Sequence, residues 1–381
     1  MIGVLGTKKK KKLVTNLQDI NLLATIKESK HKEFKIKNLV LNELNGNYDV
    51  LDFIKRYFDL GLESNHIAST SNKFNIQKLD QNKFTGIVNL KKTNDIRYIN
   101  KFFESVNSIL PNSAFYFGKV ETYPNRKKAI LKKYPLVINW LVYAFDITFT
   151  RILPKLLLTK KIYFACTKGK GRVLSKAETY GRLYSCGFEV VDEKVVDNML
   201  YFVAKKVKDP VYDDDPTYGP VIRLKRVGKG GEKFNVYKFR TMHPFSEYLQ
   251  EYIYNKNKLQ EGGKIKNDFR ISPEGKFLRR FWIDEIPMIL NLIKGDMNLI
   301  GVRPISSHYF NLYDEDLKKL RIQFKPGLIP PFYADMPKSL EEIQQSEKKY
   351  LNLYKTSPIS TNCKYFYKSL INIFFRGARS N

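Results

Sequence analysis

The stretch from Trp282 to Pro304 reads W-I-D-E-I-P-M-I-L-N-L-I-K-G-D-M-N-L-I-G-V-R-P and places two adjacent carboxylates, Asp284 and Glu285, directly before an apolar helical pattern. A turn at Lys294–Gly295–Asp296 follows, then a short apolar run ending at Arg303–Pro304. Neighbouring negative charges at a helix start are costly unless helix amides, a metal ion or a nearby arginine compensates them. A phosphoryl-transfer site uses the same arrangement, with one carboxylate as nucleophile and the other beside a divalent ion. The alternative is a capping pair without chemistry, and the surrounding sequence decides against it.

The chain has 381 residues, enough for two or three domains, and its 43% hydrophobic and 14% aromatic content excludes wholesale disorder. A formal charge of +29 asks for an anionic partner, which a nucleic acid, an anionic membrane leaflet or a phosphorylated substrate would satisfy. No aromatic-basic stacking motif or paired-cysteine finger supports base readout, so no nucleic-acid partner is expected. The run Lys8 to Lys12 is a solvated or membrane-facing patch. Cys166, Cys186 and Cys363 are too widely spaced for a disulfide framework or zinc knuckle, and the four histidines are equally scattered. The first apolar residues precede the lysines rather than following them, so no secretory signal is expected and the chain should stay on the cytoplasmic side.

No stretch has the ~20 uninterrupted apolar residues of a spanning helix. Pro135 to Leu158 comes nearest, flanked by Lys132–Lys133 and Lys160–Lys161, but it contains Asp146, Arg151 and Pro154. Burying that aspartate and arginine near mid-bilayer would cost several kcal/mol each. Two readings stand: a buried globular helix pair, or a segment that enters the cytoplasmic leaflet shallowly, with Trp140 and Tyr143 at the interface.

Residues 1–207 alternate strand and helix signals. Tyr98 to Leu110 has amphipathic helical spacing, and Ala114 to Val120, Ile162 to Thr167, Phe188 to Val191 and Leu200 to Lys206 read as strands. Glu178 to Ser185 suits a helix, Gly187 a break, and Gly169, Gly171 and Gly181 turns. This succession resembles the C-terminal half of an S-adenosylmethionine-dependent methyltransferase fold. The glycine loop that would cradle that cofactor is absent, which makes the expectation a degenerate, non-catalytic Rossmann-like domain.

The Pro-, Asp- and Gly-rich segment 208–220 marks a linker, and 221–381 forms the second domain. Val221 to Arg226 and Phe234 to Phe239 read as a β-hairpin around Gly228 to Gly231. Lys238 and Arg240 are two apart on the second strand and share a face. Asp268 and Arg270 are likewise two apart, and Arg279 and Arg280 closely precede the acidic pair. If the domain is compact, these cations and Arg303 converge on Asp284 and Glu285, a setting suited to a diphosphate.

Five ordered motifs carry a specific resemblance: R-V-G-K-G-G-E-K-F, Y-K-F-R-T-M, D-F-R-I-S-P-E-G-K-F-L-R-R, the Ile283–Pro304 stretch, and K-P-G-L. Together they are similar to the catalytic domain of bacterial sugar transferases of the monotopic phosphoglycosyl transferase superfamily. The fold thus implied is α/β overall: the methyltransferase-like domain followed by a compact α+β transferase domain. The resemblance implies Asp284 as nucleophile, Glu285 as the neighbour that holds Mg²⁺ (or Mn²⁺), and Lys238, Arg240, Arg270 and Arg303 as phosphate-binding residues. Asp268, Arg279, Arg280 and Pro304 would support them. The implied reaction moves a phosphosugar from a UDP-sugar to polyprenol (undecaprenyl) phosphate at the cytoplasmic leaflet of the inner membrane, initiating exopolysaccharide, capsule, O-antigen or glycoprotein glycan synthesis. A homo-oligomer is left open.

Four departures separate the chain from the family pattern. Val302 replaces the first proline of a Gly-Pro-Arg-Pro motif, and Met288 stands where glutamine is usual. I-P-P-F-Y-A-D-M-P follows Pro326–Gly327–Leu328 in place of a Thr-Gly segment. The hydrophobic re-entrant helix that precedes the family's first hairpin gives way to charged residues 205–220, which suggests Pro135 to Leu158 as the replacement anchor. These changes keep a second expectation alive, a membrane-associated scaffold or glycan-assembly binding protein whose transferase site has decayed.

Overall fold

The computed structural model describes residues 33–212, 219–257 and 268–376. The Lys8 to Lys12 run and part of the 208–220 linker lie outside the described residues. Two compact units divide the chain: Met1–Pro216 together with Pro244–Leu249, and Thr217–His243 together with Gln250–Asn381.

The first unit is built on a five-stranded sheet. Its strands are β1 (Asn65–Ala68), β2 (Gly86–Lys92), β3 (Phe115–Val120), β4 (Phe188–Val196) and β5 (Met199–Lys206), in the order β1-β2-β3-β5-β4. β1, β2 and β3 run parallel, while β5 lies antiparallel between β3 and β4. Asp197 and Asn198, both at positive φ, close the β4–β5 hairpin with the two-residue turn that matches strand twist.

Alternation along β3 explains the layering. Phe117 points to one face and packs with Val88, Val203 and the helical residues Val40, Leu51, Phe53 and Ile54. Tyr116 points to the other, where its ring meets Phe103, Phe188 and Phe202. Helix Ile99–Ile109 buries Phe102, Phe103 and Val106 along one stripe, as its spacing predicts.

Two expectations for this unit are corrected. Ile162 to Thr167 is not a strand but the end of helix Leu157–Thr167. A six-residue apolar run has no decisive period, and the preceding Leu-Leu-Thr-Lys-Lys residues extend it as a helix that stops at left-handed Lys168 and Gly169. Gly181 is not a turn residue but lies inside helix Lys176–Ser185, where a Cβ would come within 2.2 Å of the Phe245 carbonyl oxygen. That glycine serves close packing.

The second unit contains a hairpin of β6 (Val221–Val227) and β7 (Lys233–Phe239) and a parallel pair of β8 (Asn298–Ile300) and β9 (Gly327–Ile329). Helices Leu340–Thr356 and Pro358–Phe375 cover a core of Ile300, Val302, Tyr313, Leu317, Tyr350, Leu351 and Tyr365. Val236, Met288 and Met297 form a smaller cluster under the hairpin. Val302 and Met288, two of the residues that depart from the family pattern, are thus packing groups.

Candidate active site

Trp282 adopts a left-handed conformation with φ of 54°, rare for a bulky side chain, and starts a new helical direction at Ile283. Its ring meets Tyr333 edge-on at 5.7 Å. The acidic pair therefore falls in the first turn of a 3₁₀ segment, Ile283–Met288, which passes into a short α-helix, Ile289–Ile293. The expected apolar helix exists, but Pro287 and the tight first turn leave it with fewer aligned amides than one long helix would offer.

Asn291 fixes this helix to the hairpin. It is fully buried; its amide donates to Asn235 O at 2.7 Å and Asp296 Oδ2 at 3.1 Å, and its Oδ1 accepts from Tyr237 N at 3.1 Å. The strand bearing Lys238 is thereby held beside the turn bearing Glu285. Lys238 Nζ lies 2.7 Å from Glu285 Oε1, both side chains largely buried.

A cleft of about 70 Å³ opens at this pair. Arg226, Lys238, Glu285, Arg303, Pro304 and Tyr333 are among the residues lining it. Arg303 is set by its backbone: its carbonyl accepts from Arg321 Nη2 at 2.6 Å, and Arg321 is ion-paired with buried Glu347. The neighbouring Gly301 makes a close approach to the Lys-Pro-Gly-Leu motif. A Cβ on Gly327 would lie 2.0 Å from Gly301 N, so only glycine lets the two segments cross where Gly327 N donates to Val302 O at 2.9 Å.

The other expected residues stand outside the cleft lining. Arg270 is buried and bound in bidentate fashion by Asp268, with a further bond to Gln250 Oε1 at 3.2 Å. Arg279 donates to Thr241 Oγ1 at 2.9 Å. The segment holding these residues is tied to the Lys238 strand by Ser272 N to Thr241 O at 3.0 Å and by Gly275, whose Cβ would lie 1.9 Å from that carbonyl. Arg240 directly follows the end of β7, and its Nε donates to Gly219 O at 3.0 Å. Arg280 is exposed and lies over the Phe281 ring.

Arg226 escaped the sequence reading. The signal was available: Arg226 pairs with Phe234, two register positions from Leu224–Val236 and four from Ile222–Lys238. Strand alternation alone puts Arg226 and Lys238 on one face. Burial and the nearby Arg303 charge push the Arg226 pKa down, which marks a cleft with two guanidinium groups at close quarters.

Asp284 is half-buried. Burial raises its pKa above the usual carboxylate value and the Glu285 charge adds to the rise, while Lys238 and Arg279 pull it back. The adjacent carboxylates suit Mg²⁺, which binds one or two protein carboxylates and completes its shell with water and phosphate oxygens. No group of three or more His, Cys, Asp or Glu that could hold a metal ion occurs among the described residues. A cage made wholly of protein is not this mode of binding.

Residues 213–376 match the family described as bacterial sugar transferase. The second unit carries a bacterial sugar transferase domain. The chain is 34% identical over 139 residues to the galactosyl transferase CpsE of Streptococcus agalactiae, a match covering 35% of this chain and 31% of that protein. It is 40% identical over 116 residues to the undecaprenyl-phosphate galactose phosphotransferase of Salmonella typhimurium, covering 29% and 24%. With the uncharacterized sugar transferase EpsL of Bacillus subtilis it shares 34% identity over 118 residues, covering 28% and 52%. The chain thus spans about half or less of the length of these relatives. A solved 16S rRNA (adenine(1408)-N(1))-methyltransferase from Catenulisporales acidiphilia, 15% identical over 35% of this chain and 56% of its own, gives a TM-score of 0.19, too low to bear on fold or activity.

Replacing Asn291 by Ala leaves Asn235 O and Tyr237 N without their side-chain partner, so the second unit should lose about 3 kcal/mol of stability. An unchanged urea midpoint would remove Asn291 from this positioning role. For Asp284, any reaction that uses its carboxylate should lose rate as pH falls through the raised pKa. Arg279→Gln removes a cation favouring the charged form, so the acid limb of the pH–rate profile should move to higher pH. A limb that stays in place would uncouple Arg279 from Asp284.

Proposed function

We propose that the second unit transfers a phosphosugar from a UDP-sugar to polyprenol phosphate at the cytoplasmic leaflet of the inner membrane. The observation that carries this reading is the Asp284–Glu285 pair beside a cleft lined by Lys238, Arg226 and Arg303, within a bacterial sugar transferase domain.

Asp284 attacks the sugar-bearing phosphorus of the donor. An aspartyl Oδ–P bond forms and the bond from that phosphorus to the bridging oxygen breaks, releasing UMP. An oxygen of polyprenol phosphate then attacks the same phosphorus, the Oδ–P bond breaks, and polyprenyl-diphosphate-sugar departs with Asp284 regenerated. Arg226, Arg303 and Lys238 supply positive potential where phosphoryl charge is displaced. Glu285 would hold Mg²⁺, which when bound neutralises diphosphate oxygens. Until a cation or substrate arrives, Lys238 occupies Glu285 and limits the repulsion between the two carboxylates. The raised Asp284 pKa gives a more basic carboxylate for attack on phosphorus.

The test is incubation of membrane-embedded full chain with Mg²⁺, polyprenol phosphate and UDP-sugars, scored by UMP release. The donor panel begins with UDP-galactose and UDP-N-acetylgalactosamine, since galactose and N-acetylgalactosamine appear in the names of relatives. With donor alone, intact-mass measurement should find a phosphosugar adduct on the wild type and none on Asp284→Asn. That variant should lose about 10³-fold or more in turnover, and excess EDTA should abolish it in the wild type. An adduct surviving in Asp284→Asn would overturn the nucleophile, and full activity in EDTA would overturn the metal.

For the first unit we propose a methyltransferase-like scaffold without methyl transfer. Its sheet order, with antiparallel β5 inserted between β3 and β4, supports the resemblance, and the absence of a glycine loop in the sequence opposes activity. Calorimetric titration with S-adenosylmethionine should give no binding heat; a saturable heat would restore the enzymatic reading.

A further inference from the structure

Segment Pro244–Leu249 lies within the transferase domain in sequence, yet in space it belongs to the first unit. The chain leaves β7 at Phe239, enters the first unit at Pro244 and returns to the second at Gln250. Within this short strap Phe245, Ser246 and Leu249 are all buried. Phe245 has a φ of 62°, a conformation that a bulky residue keeps only where its surroundings hold it.

Helix Lys176–Ser185 supplies that hold. Gly181 lets the Phe245 carbonyl sit against the helix, and the next residue, Arg182, places its guanidinium 4.5 Å from the centre of the Phe245 ring. Arg182 is itself fixed, by Glu178 at 2.8 Å and by Asn100 Oδ1 at 2.5 Å. None of these residues has a part in the phosphosugar transfer described above, so a fit built this closely calls for another role.

Both ends of the strap lead to arginines of the second unit. Upstream, Thr241 Oγ1 accepts from Arg279 Nε at 2.9 Å, and His243 N donates to Arg270 O at 2.8 Å. Downstream, Gln250 Oε1 accepts from Arg270 Nη1 at 3.2 Å, and Ile253 is fully buried. We propose that the first unit is a positioning domain for the transferase: by gripping Pro244–Leu249 it sets the residues on either side of the strap, which in turn hold Arg270 and Arg279. Gly181 and Arg182 are positioning residues, and their effect reaches Asp284 through Thr241 and Arg279. Glu285, Lys238 and Arg279 are the charged groups that act on Asp284, and Arg279 is the one bonded to the residues leading into the strap. The methyltransferase-like unit thereby gains a task that needs no cofactor. The kinetic effect rests on the phosphosugar-transfer reading; the grip itself does not.

The test is Gly181→Ala in the full chain. Alanine favours the helix itself, so a change outside the helix reports displacement of the strap. Hydrogen exchange should quicken about tenfold in peptides covering 240–257 and in those covering 268–276, which contain the Arg270 and Ser272 amides. In the UMP-release assay the acid limb of the pH–rate profile should move to higher pH, as for Arg279→Gln. The two substitutions together should move it no further than Arg279→Gln alone. Val88→Ala is the control: it opens a cavity on the sheet face opposite Tyr180 and should lower stability without moving the limb. Should Gly181→Ala fail to fold, Phe245→Gly goes through the same measurements, since glycine suits the left-handed backbone and removes the ring beside Arg182. Unchanged exchange over 268–276 overturns the proposal. So does an acid limb that stays in place, or one that Val88→Ala moves equally. If the wild type releases no UMP, the phosphosugar-transfer reading fails, and the exchange measurement still decides the grip.

Discussion

A single buried amide links the two parts of the candidate site. Asn291 lies in the helix that follows Asp284 and Glu285, yet all its bonds to β7 go to backbone groups, Asn235 O and Tyr237 N. Neither segment could shift without stripping a partner from a group that has no water to replace it. The distance between Lys238 and Glu285 is therefore inherited from Asn291 rather than set by their mutual attraction alone. Asp296 completes the amide's bonding and ties the Lys-Gly-Asp turn to the same anchor.

Charge is handled by segregation. Arg270 is neutralised by Asp268 and Arg321 by Glu347, each pair buried away from the cleft lining. Buried pairs of this kind add little net stability but hold geometry, because separating the partners would leave an unpaired charge in a poorly solvated place. Arg321 passes that rigidity to the Arg303 backbone. Arg226 and Arg303, by contrast, both border the cleft, where burial and the Arg303 charge disfavour the charged form of Arg226, an arrangement that an anionic ligand would relieve.

The same division of labour governs the first unit's helical outgrowth. Asp146 is held by Arg126 and Arg151 is buried against the Tyr123 ring, so these two charges are met within the protein. Leu141, Phe145 and Phe149 of the same segment stay exposed. Sequence periodicity shows the polar residues but not their partners, and Arg126 and Tyr123 come from a preceding helix.

Local pattern was enough for the hairpin, for helix Ile99–Ile109, for most strands of the five-stranded sheet and for the acidic pair at a helix start. These depend on alternation, helical spacing and turn residues that act over a few positions. The Lys238–Glu285 pairing was legible only as a convergence of charges. Tertiary structure decided the rest: that Ile162 to Thr167 continues a helix, that Gly181 faces the Phe245 carbonyl, that Arg240 and Arg270 are occupied by other partners, and that Arg226 borders the cleft. Each of these follows from which backbone or charge arrives from a distant part of the chain, and a one-dimensional pattern contains no term for that meeting.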